Sequence, residues 1–362
     1  MLVDRQYWAG RRVLVTGHTG FKGAWLSLWL SELGAEVTGL SLRADDPSLF
    51  RQIGAESLVR HIEGDIRNAA LVDAVVADAQ PQTVFHLAAQ PLVRLSYDEP
   101  RETFATNVQG TAHVLDACRR VTGLEAIVAV TSDKCYHNNE WVWPYRETDA
   151  LGGHDPYSAS KAAAEIVIAS YRQSFFSGEG SALLASVRAG NVIGGGDWAH
   201  DRLVPDIVRA IVAGEAVKIR SPHAVRPWQH VFEALGGYLM IAQHLANGEA
   251  RFATAWNFGP SPSDARPVSW IVERMIARWG SGSYELTGNG GRHEAGLLKL
   301  DCSKAQAELG WRPAFDLNAT IDRIIDWHKA HAAGRDALGV SRDQLSDYHS
   351  RMNAALQESE RT

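Results

Sequence analysis

The chain has 362 residues, 45% of them hydrophobic and 22% charged, with a formal net charge of −6. That suits one large or two intimately joined globular domains, and the acidic balance leaves no basic field for nucleic acid. No run reaches the roughly 18 apolar residues of a membrane span, and the N-terminal Met-Leu-Val-Asp-Arg-Gln-Tyr-Trp lacks the apolar centre of a signal peptide. Cys118, Cys135 and Cys302 have neither disulfide nor zinc spacing, so no metal is expected and a reducing cytoplasm is the expected home.

Arg12 to Val15 reads as an apolar strand. It runs into Thr16-Gly17-His18-Thr19-Gly20-Phe21-Lys22-Gly23 and a helix from Ala24 to Leu33 that Gly34 ends. Gly17, Gly20 and Gly23 allow a tight turn and close backbone approach, with the helix N-terminus facing a pyrophosphate. A glycine trio alone is weak, and the strand–turn–helix setting gives it weight. Lys22 reads equally as a phosphate contact or a solvated lysine of the first helical turn. The second strand, Glu36 to Leu42, ends Ser41-Leu42-Arg43-Ala44-Asp45-Asp46. An acid at the tip would select NAD and an arginine would tolerate the 2′-phosphate of NADP. The tip has no acid and Arg43 follows, so these residues leave the choice open.

A third strand ends at His61-Ile62-Glu63-Gly64-Asp65-Ile66, where Asp65 can cap a turn. Thr83 to Ala89 is the fourth, and Ala88-Ala89 after Leu87 leave room for a cofactor across the sheet edge. Gln90 and Arg94 follow in a loop. The helix from Glu102 to Arg120 carries Asn107, unfavourable in mid-helix unless partnered. Val128 to Val130 runs into Thr131-Ser132-Asp133-Lys134-Cys135-Tyr136. A strand that delivers a hydroxyl, a carboxylate and an amine to the carboxyl edge is how an α/β sheet presents a site. A polar and aromatic excursion over 137–154 is placed to cover a pocket. Asp155-Pro156 then opens a helix with Tyr157 and Lys161 one turn apart on one face. A fixed ammonium favours phenolate, so a phenol that titrates near ~10 can serve as a base near neutral pH.

Leu183 to Val187 is a further strand, ending Arg188-Ala189-Gly190-Asn191, and Gly194-Gly195-Gly196-Asp197 is a break where a second lobe begins. Val217 to Arg220 and Ala255 to Gly259 read as strands, Val231 to Leu245 and Leu317 to His328 as helices. Beyond Ala332, helical spacing around Leu345 to Leu356 fits either a cap on a partner subunit or a loosely ordered tail. The alternation gives an α/β fold: a Rossmann-type doubly wound parallel sheet in 1–196 and 225–259, a smaller mixed α/β substrate-binding lobe in 197–224 and 260–332, and a C-terminal tail in 333–362.

The glycine turn and the Tyr157/Lys161 pair together resemble the extended short-chain dehydrogenase/reductase family. Thr-Gly-His-Thr-Gly-Phe-Lys-Gly (16–23), Ala-Ala-Gln-Pro-Leu-Val-Arg (88–94), Thr-Ser-Asp-Lys-Cys-Tyr (131–136), Arg-Ala-Gly-Asn-Val-Ile-Gly-Gly-Gly-Asp-Trp (188–198) and Arg-Pro-Trp-Gln-His-Val (226–231) look like its branch of cytidine-linked sugar 4,6-dehydratases. The likeness runs from about Tyr7 to about Lys329. It implies a nicotinamide cofactor, NAD before NADP, met by Gly17, Thr19, Gly20, Phe21, Lys22, Gly23, Arg43, Asp65, Ile66, Leu87, Ala88, Ala89 and Asn107 with Tyr157 and Lys161. Asn107 would brace the catalytic strand and lysine. CDP-glucose is the implied substrate, met by Gln90, Arg94, Asn191, Arg202, Val204, Arg226, Arg292 and His293. A guanidinium such as that of Arg226 suits the diphosphate by bidentate hydrogen bonding. Ser132, Asp133, Lys134, Tyr157 and Lys161 are the implied catalytic set, in a homodimer or a dimer of dimers joined through helices flanking the catalytic one.

Asp133 is the natural acid for a departing C6 hydroxyl. Lys134 stands where the deoxythymidine branch has a glutamate, and an adjacent ammonium favours a carboxylate over an acid. Lys134 can act as a desolvated, neutral base at C5, stabilise an enolate as a cation, or only pair with Asp133. A nucleotide-sugar 4-epimerase would use Tyr157, Lys161 and Ser132 without needing Asp133-Lys134. A non-catalytic dinucleotide-binding protein would need none of the set.

Overall fold

In the computed structural model, which describes residues 3–288 and 296–359, seven strands form one parallel sheet. They are β1 (Arg12–Thr16), β2 (Glu36–Ser41), β3 (Arg60–Glu63), β4 (Thr83–His86), β5 (Ala126–Val130), β6 (Leu183–Ala189) and β7 (Ala255–Phe258). Across the sheet the order is β7-β6-β5-β4-β1-β2-β3, with parallel neighbours throughout. The chain reverses direction of travel between β1 and β4, and the crevice at their carboxyl ends is where a doubly wound sheet takes its ligand.

Successive side chains of a strand go to opposite faces, and each face has its own core. Val13, Val15 and Val128 pack with Trp25, Trp29 and Phe232 of the helices Phe21–Glu32 and Val231–Ala246. Leu14, Ile127 and Ala129 pack with Val72, Val114 and Ile168 of the helices Ala69–Ala79, Gly110–Cys118 and Pro156–Phe175. The second lobe has a separate core of Ile207, Ile211, Met275, Ile321 and Ile324 from the helices Leu203–Ala213, Val268–Trp279 and Leu317–Ala332. Strand Val225–His230 pairs with Asn191–Ile193 and Ala265–Pro267, so these three form a sheet separate from the large one. Ser283–Leu286, exposed at every position and so without a sequence signature, pairs with Ala216–Ile219.

Two elements differ from the sequence reading. The helix expected over 102–120 is interrupted: a π-turn at Ala105–Gln109 separates Pro100–Phe104 from Gly110–Cys118. The tail is not loosely ordered over its first turns. It is a helix, Ala337–Ser359, folded back on its own chain. Tyr348 meets Trp29 edge to face at 5.5 Å, Trp327 Nε1 donates to Ser341 Oγ at 3.0 Å, and Arg342 pairs with Glu32 at 2.7 Å. Among the described residues no helix is long and apolar enough to cross a membrane.

Glu233, fully buried, ties this helix down. It accepts from the amides of Ala314 and Phe315 and from the Tyr348 hydroxyl at 3.2 Å. Burial outweighs those bonds and pushes its carboxyl up to about 7. A folded pKa above the unfolded value means that stability is fully present below about pH 4.5 and is lost as the pH rises through about 7. About 3 kcal/mol is at stake at 1.36 kcal/mol per unit. Denaturant midpoints of the wild type are expected to fall between pH 5 and 7.5, and those of Glu233→Gln to stay flatter. Parallel slopes would remove Glu233 from the account.

Candidate active site

The glycine turn carries out the close approach that its sequence requires. Gly17 has φ +76°, and a Cβ there would lie 2.7 Å from the amide nitrogen of Ala88. A Cβ on Gly23 would lie 2.1 Å from the carbonyl oxygen of Gly17. Gly20 stands at the N-cap of Phe21–Glu32 with no side chain bonding the first helical amides. Those donors, at the positive end of a twelve-residue helix, fit a dinucleotide pyrophosphate. The Thr19 hydroxyl is engaged with Ser41 Oγ at 2.7 Å and the Leu42 carbonyl at 3.0 Å, which locks the turn to the end of β2. Arg43 is exposed just beyond. Phe21 reaches across to Gly194, whose added Cβ would meet its ring at 3.1 Å.

Along the neighbouring strand ends, Asp65 accepts from the amide and guanidinium of Arg67, which hold its carboxyl below the usual range. Ile66 is buried in the core against Gly110. Leu87, Ala88 and Ala89 line the exit of β4 half-buried. Asn107 sits in the π-turn, 2% exposed, with both ends of its amide used. Its Oδ1 accepts from the Gln90 amide at 2.8 Å, and its Nδ2 donates to the Gln90 carbonyl and to Ser160 Oγ at 2.8 Å. It therefore ties the loop after β4 to the helix of Tyr157, and its direct partners do not include β5 or Lys161. Gln90, expected to face a sugar, bonds Thr103 Oγ1 of the helix Pro100–Phe104 at 2.9 Å and both main-chain groups of Leu92.

The five residues of the implied catalytic set come together at the ends of β5 and the helix Pro156–Phe175. Ser132 caps a short turn, Asp133–Cys135, and donates to Asp133 Oδ1 at 2.9 Å. Lys134 Nζ lies 3.4 Å from the same oxygen. Asp133 is 1% exposed, and its other oxygen, Oδ2, has no partner among the described residues. Asp155 caps the catalytic helix through the Ser158 amide at 2.9 Å, with Pro156 in the first turn, and Ser96 Oγ accepts the amide of Tyr157 at 3.1 Å. Burial pushes the Tyr157 phenol up to about 12, although the Ser132 hydroxyl and the Arg202 guanidinium pull the other way. In the protein alone, desolvation thus wins over the neighbouring cations. Burial pushes Lys161 down to about 8, opposed by Glu165.

Lys22 turns inward. Burial, then the cations Lys161 and Arg202, push its enclosed ammonium down to about 7, and Asp133 opposes them. The sequence left it between solvent and phosphate; the charges of Lys161, Arg202 and Asp133 reach it from the site.

On the second lobe, Arg202 holds Asp197 at 3.2 Å. Asn191 is half-buried on the strand beside Trp228. Val204 is 2% exposed within the lobe's own core, so its side chain is spent on packing. Arg94 reaches Asp201 at 3.5 Å, and Arg226 donates to the carbonyls of Val225 and Gly296. Arg266 pairs with Arg226 in the strand register, a second cation that sequence reasoning passed over. Arg292 and His293 lie outside the described residues. Sequence reasoning also passed over Glu165 and Arg188, both buried beneath the catalytic turn. The signal was there: a charged residue inside the apolar strand Leu183–Ala189 needs a buried partner.

A family profile described as the NAD dependent epimerase/dehydratase family matches residues 13–259. The chain is 51% identical to the CDP-glucose 4,6-dehydratase of Salmonella typhimurium LT2 over 96% of this chain and 99% of that one. It is 31% identical to the dTDP-glucose 4,6-dehydratase of Streptomyces antibioticus over 90% and 95%. Among solved structures, MoeE5 in complex with UDP-glucuronic acid and NAD superposes with a TM-score of 0.74 at 26% identity, covering 88% of this chain and 99% of that one.

Proposed function

The chain belongs to the NAD dependent epimerase/dehydratase family, and from that premise we propose that it converts CDP-glucose to CDP-4-keto-6-deoxyglucose and water. It is a hydro-lyase that uses NAD and binds a nucleotide-sugar. The observation that carries the reading is the Asp133-Lys134 pair placed beside Ser132, with the charge of Asp133 bearing on Tyr157. Elimination needs an acid and a base beyond the redox set, and epimerisation does not.

Bound NAD supplies the chemistry of accepting hydride from the sugar C4 and returning it at C6. Tyr157 takes the proton of the 4-hydroxyl, and the Ser132 hydroxyl bonds the same oxygen. The C4 ketone acidifies the C5 proton, which Lys134 removes. Asp133 protonates the departing C6 hydroxyl as water, with the partnerless Oδ2 as the oxygen that meets it. The proton at C5 is restored as the hydride returns, so atoms and electrons balance without net oxidation. The glycine turn, Lys22, Asp65 and the exit of β4 hold the dinucleotide; Arg94, Asn191, Arg202 and Arg226, with Arg292 and His293, hold the CDP.

We assign the dinucleotide lobe to 1–196 and 225–259 and the sugar-nucleotide lobe to 197–224 and 260–332. The chain assembles as a homodimer through the apolar faces of Pro100–Cys118 and Pro156–Phe175, supported by the exposed Phe104, Ile166 and Phe175. Three buried thiols support the cytoplasm as its compartment.

Incubation with CDP-glucose and NAD in deuterated water is expected to give a 4-keto-6-deoxy sugar with deuterium at C5 and no net NADH. CDP-galactose as product would move the assignment to an epimerase. Lys134→Met is expected to form the 4-ketone but slow deuterium entry at C5 by about 10²–10⁴-fold. Unchanged exchange would restrict Lys134 to pairing with Asp133.

A further inference from the structure

Glu165 and Arg188, each 3% exposed, form an ion pair directly beneath the catalytic turn. The Glu165 carboxylate accepts from Arg188 Nε at 2.9 Å and Nη2 at 2.8 Å, from Ser186 Oγ at 2.8 Å, and from the hydroxyl of Thr131. Thr131 immediately precedes Ser132. Arg188 Nη1 donates to Tyr136 Oη at 2.8 Å and to the Glu147 carbonyl at 3.2 Å, and Tyr136 donates to Asn257 Oδ1 at 2.7 Å. One satisfied carboxylate thus joins the helix of Tyr157 and Lys161, the strand end that carries Ser132, and the loop beyond it.

Other charged and titratable groups face the pair from each neighbouring element. Lys22 from the glycine-turn helix and His86 from β4 bear the field of Lys161, and Cys135 adjoins it from the turn after β5. Asp133, Asp155 and Arg202 bear on Tyr157. Burial keeps His86 and Cys135 neutral, and Lys22 is never an anion. Glu165 is the carboxylate on the Lys161 side.

We propose that Glu165 is a positioning residue that biases where the shared proton resides: its carboxylate works against the burial of Lys161 and favours the arrangement in which Lys161 is the ammonium and Tyr157 the phenolate. With one proton between them, the two groups exist as ammonium and phenolate or as amine and phenol, and only the first accepts a proton from the sugar hydroxyl. Glu165 lies one helical turn from Lys161, roughly 6 Å of rise, and two turns from Tyr157, roughly 12 Å. Its stabilisation of the ammonium therefore exceeds its repulsion of the phenolate. The bonds to Thr131 and Arg188 hold that charge in register with Ser132. This inference rests on the proposed reaction only for its kinetic readout.

Glu165→Gln is expected to move the acid limb of kcat/KM against pH down by about one unit and to lower the plateau by about tenfold. Glu165→Asp, which keeps the charge, is expected to leave the limb in place. Glutamine alone strands Arg188 without its partner, so E165Q/R188M, which removes both charges, is measured beside it and is expected to show the same displacement. Titration of Lys161 by NMR of ¹³Cε-labelled lysine, assigned with Lys161→Arg, reads the same shift without turnover. A lowered plateau with both the limb and the Lys161 midpoint at their wild-type positions would reduce Glu165 to packing and overturn the proposal. A wild type that leaves CDP-glucose unchanged would sink the reaction, and the Lys161 midpoint would still decide the role of Glu165.

Discussion

Tyr157→Phe is expected to lower kcat by about 10²–10⁴-fold, the range of a lost general base, while CDP-glucose binding changes little. The substitution removes a single oxygen. The start of the helix is held elsewhere, by the Asp155 cap and by Ser96 accepting the main-chain amide of residue 157. Phenylalanine fills the same buried space, so fold and affinity are preserved and the loss falls on chemistry. Steady-state rates and calorimetric titration with CDP-glucose separate the two. A kcat within tenfold of wild type would transfer the base role to another group. The wild-type rate should climb with pH on the acid side, because burial holds the phenol at about 12 and the productive form is the deprotonated one.

Arg188→Met is expected to cost about 3–5 kcal/mol of stability, the penalty for leaving a buried charge without its partner. Burial pushes the Glu165 carboxyl up, but the hydrogen bonds and charge of Arg188, with Thr131 and Ser186, bring it below its usual value. Its folded pKa is depressed, so its stabilisation is present above the unfolded value of 4.5 and lost as the pH falls through the folded one. Without Arg188 only the Thr131 and Ser186 hydroxyls oppose burial, so the shift is expected to change sign and stability should instead decline as the pH rises past 4.5. Urea denaturation at several pH values measures both the size and the reversal. E165Q/R188M should recover most of the loss, and a single variant as stable as wild type would show that water or rearrangement replaces the guanidinium.

The parts of the site that were legible in the sequence depend on local backbone chemistry. A glycine turn between a strand and a helix, a polar triplet ending an apolar strand, and a Tyr-Lys spacing of one turn each carry their geometry within a few residues. What was not legible depends on pairing across the fold. Glu165 meets Arg188 and Ser186 only because β6 lies beside β5. Gln90 has the composition of a sugar ligand, but Thr103 and Leu92 claim its amide. Val204 lies two residues from Arg202, yet one faces a core and the other an acid. For Tyr157 the sequence supplied the cation that favours phenolate and not the burial that opposes it.

The π-turn at Ala105–Gln109 bears on how this protein can vary in length. A π-turn accommodates one more residue than an α-turn, and each residue advances a helix by about 100°. Deleting one residue here would restore a regular α-helix and rotate Asn107 away from Gln90 and Ser160, both of which it bonds. Inserting one would rotate Asn107 in the opposite sense. Natural variants of this stretch should therefore exchange side chains while keeping its count of residues fixed, whereas the exposed end of the helix at Arg119 is free to grow or shrink.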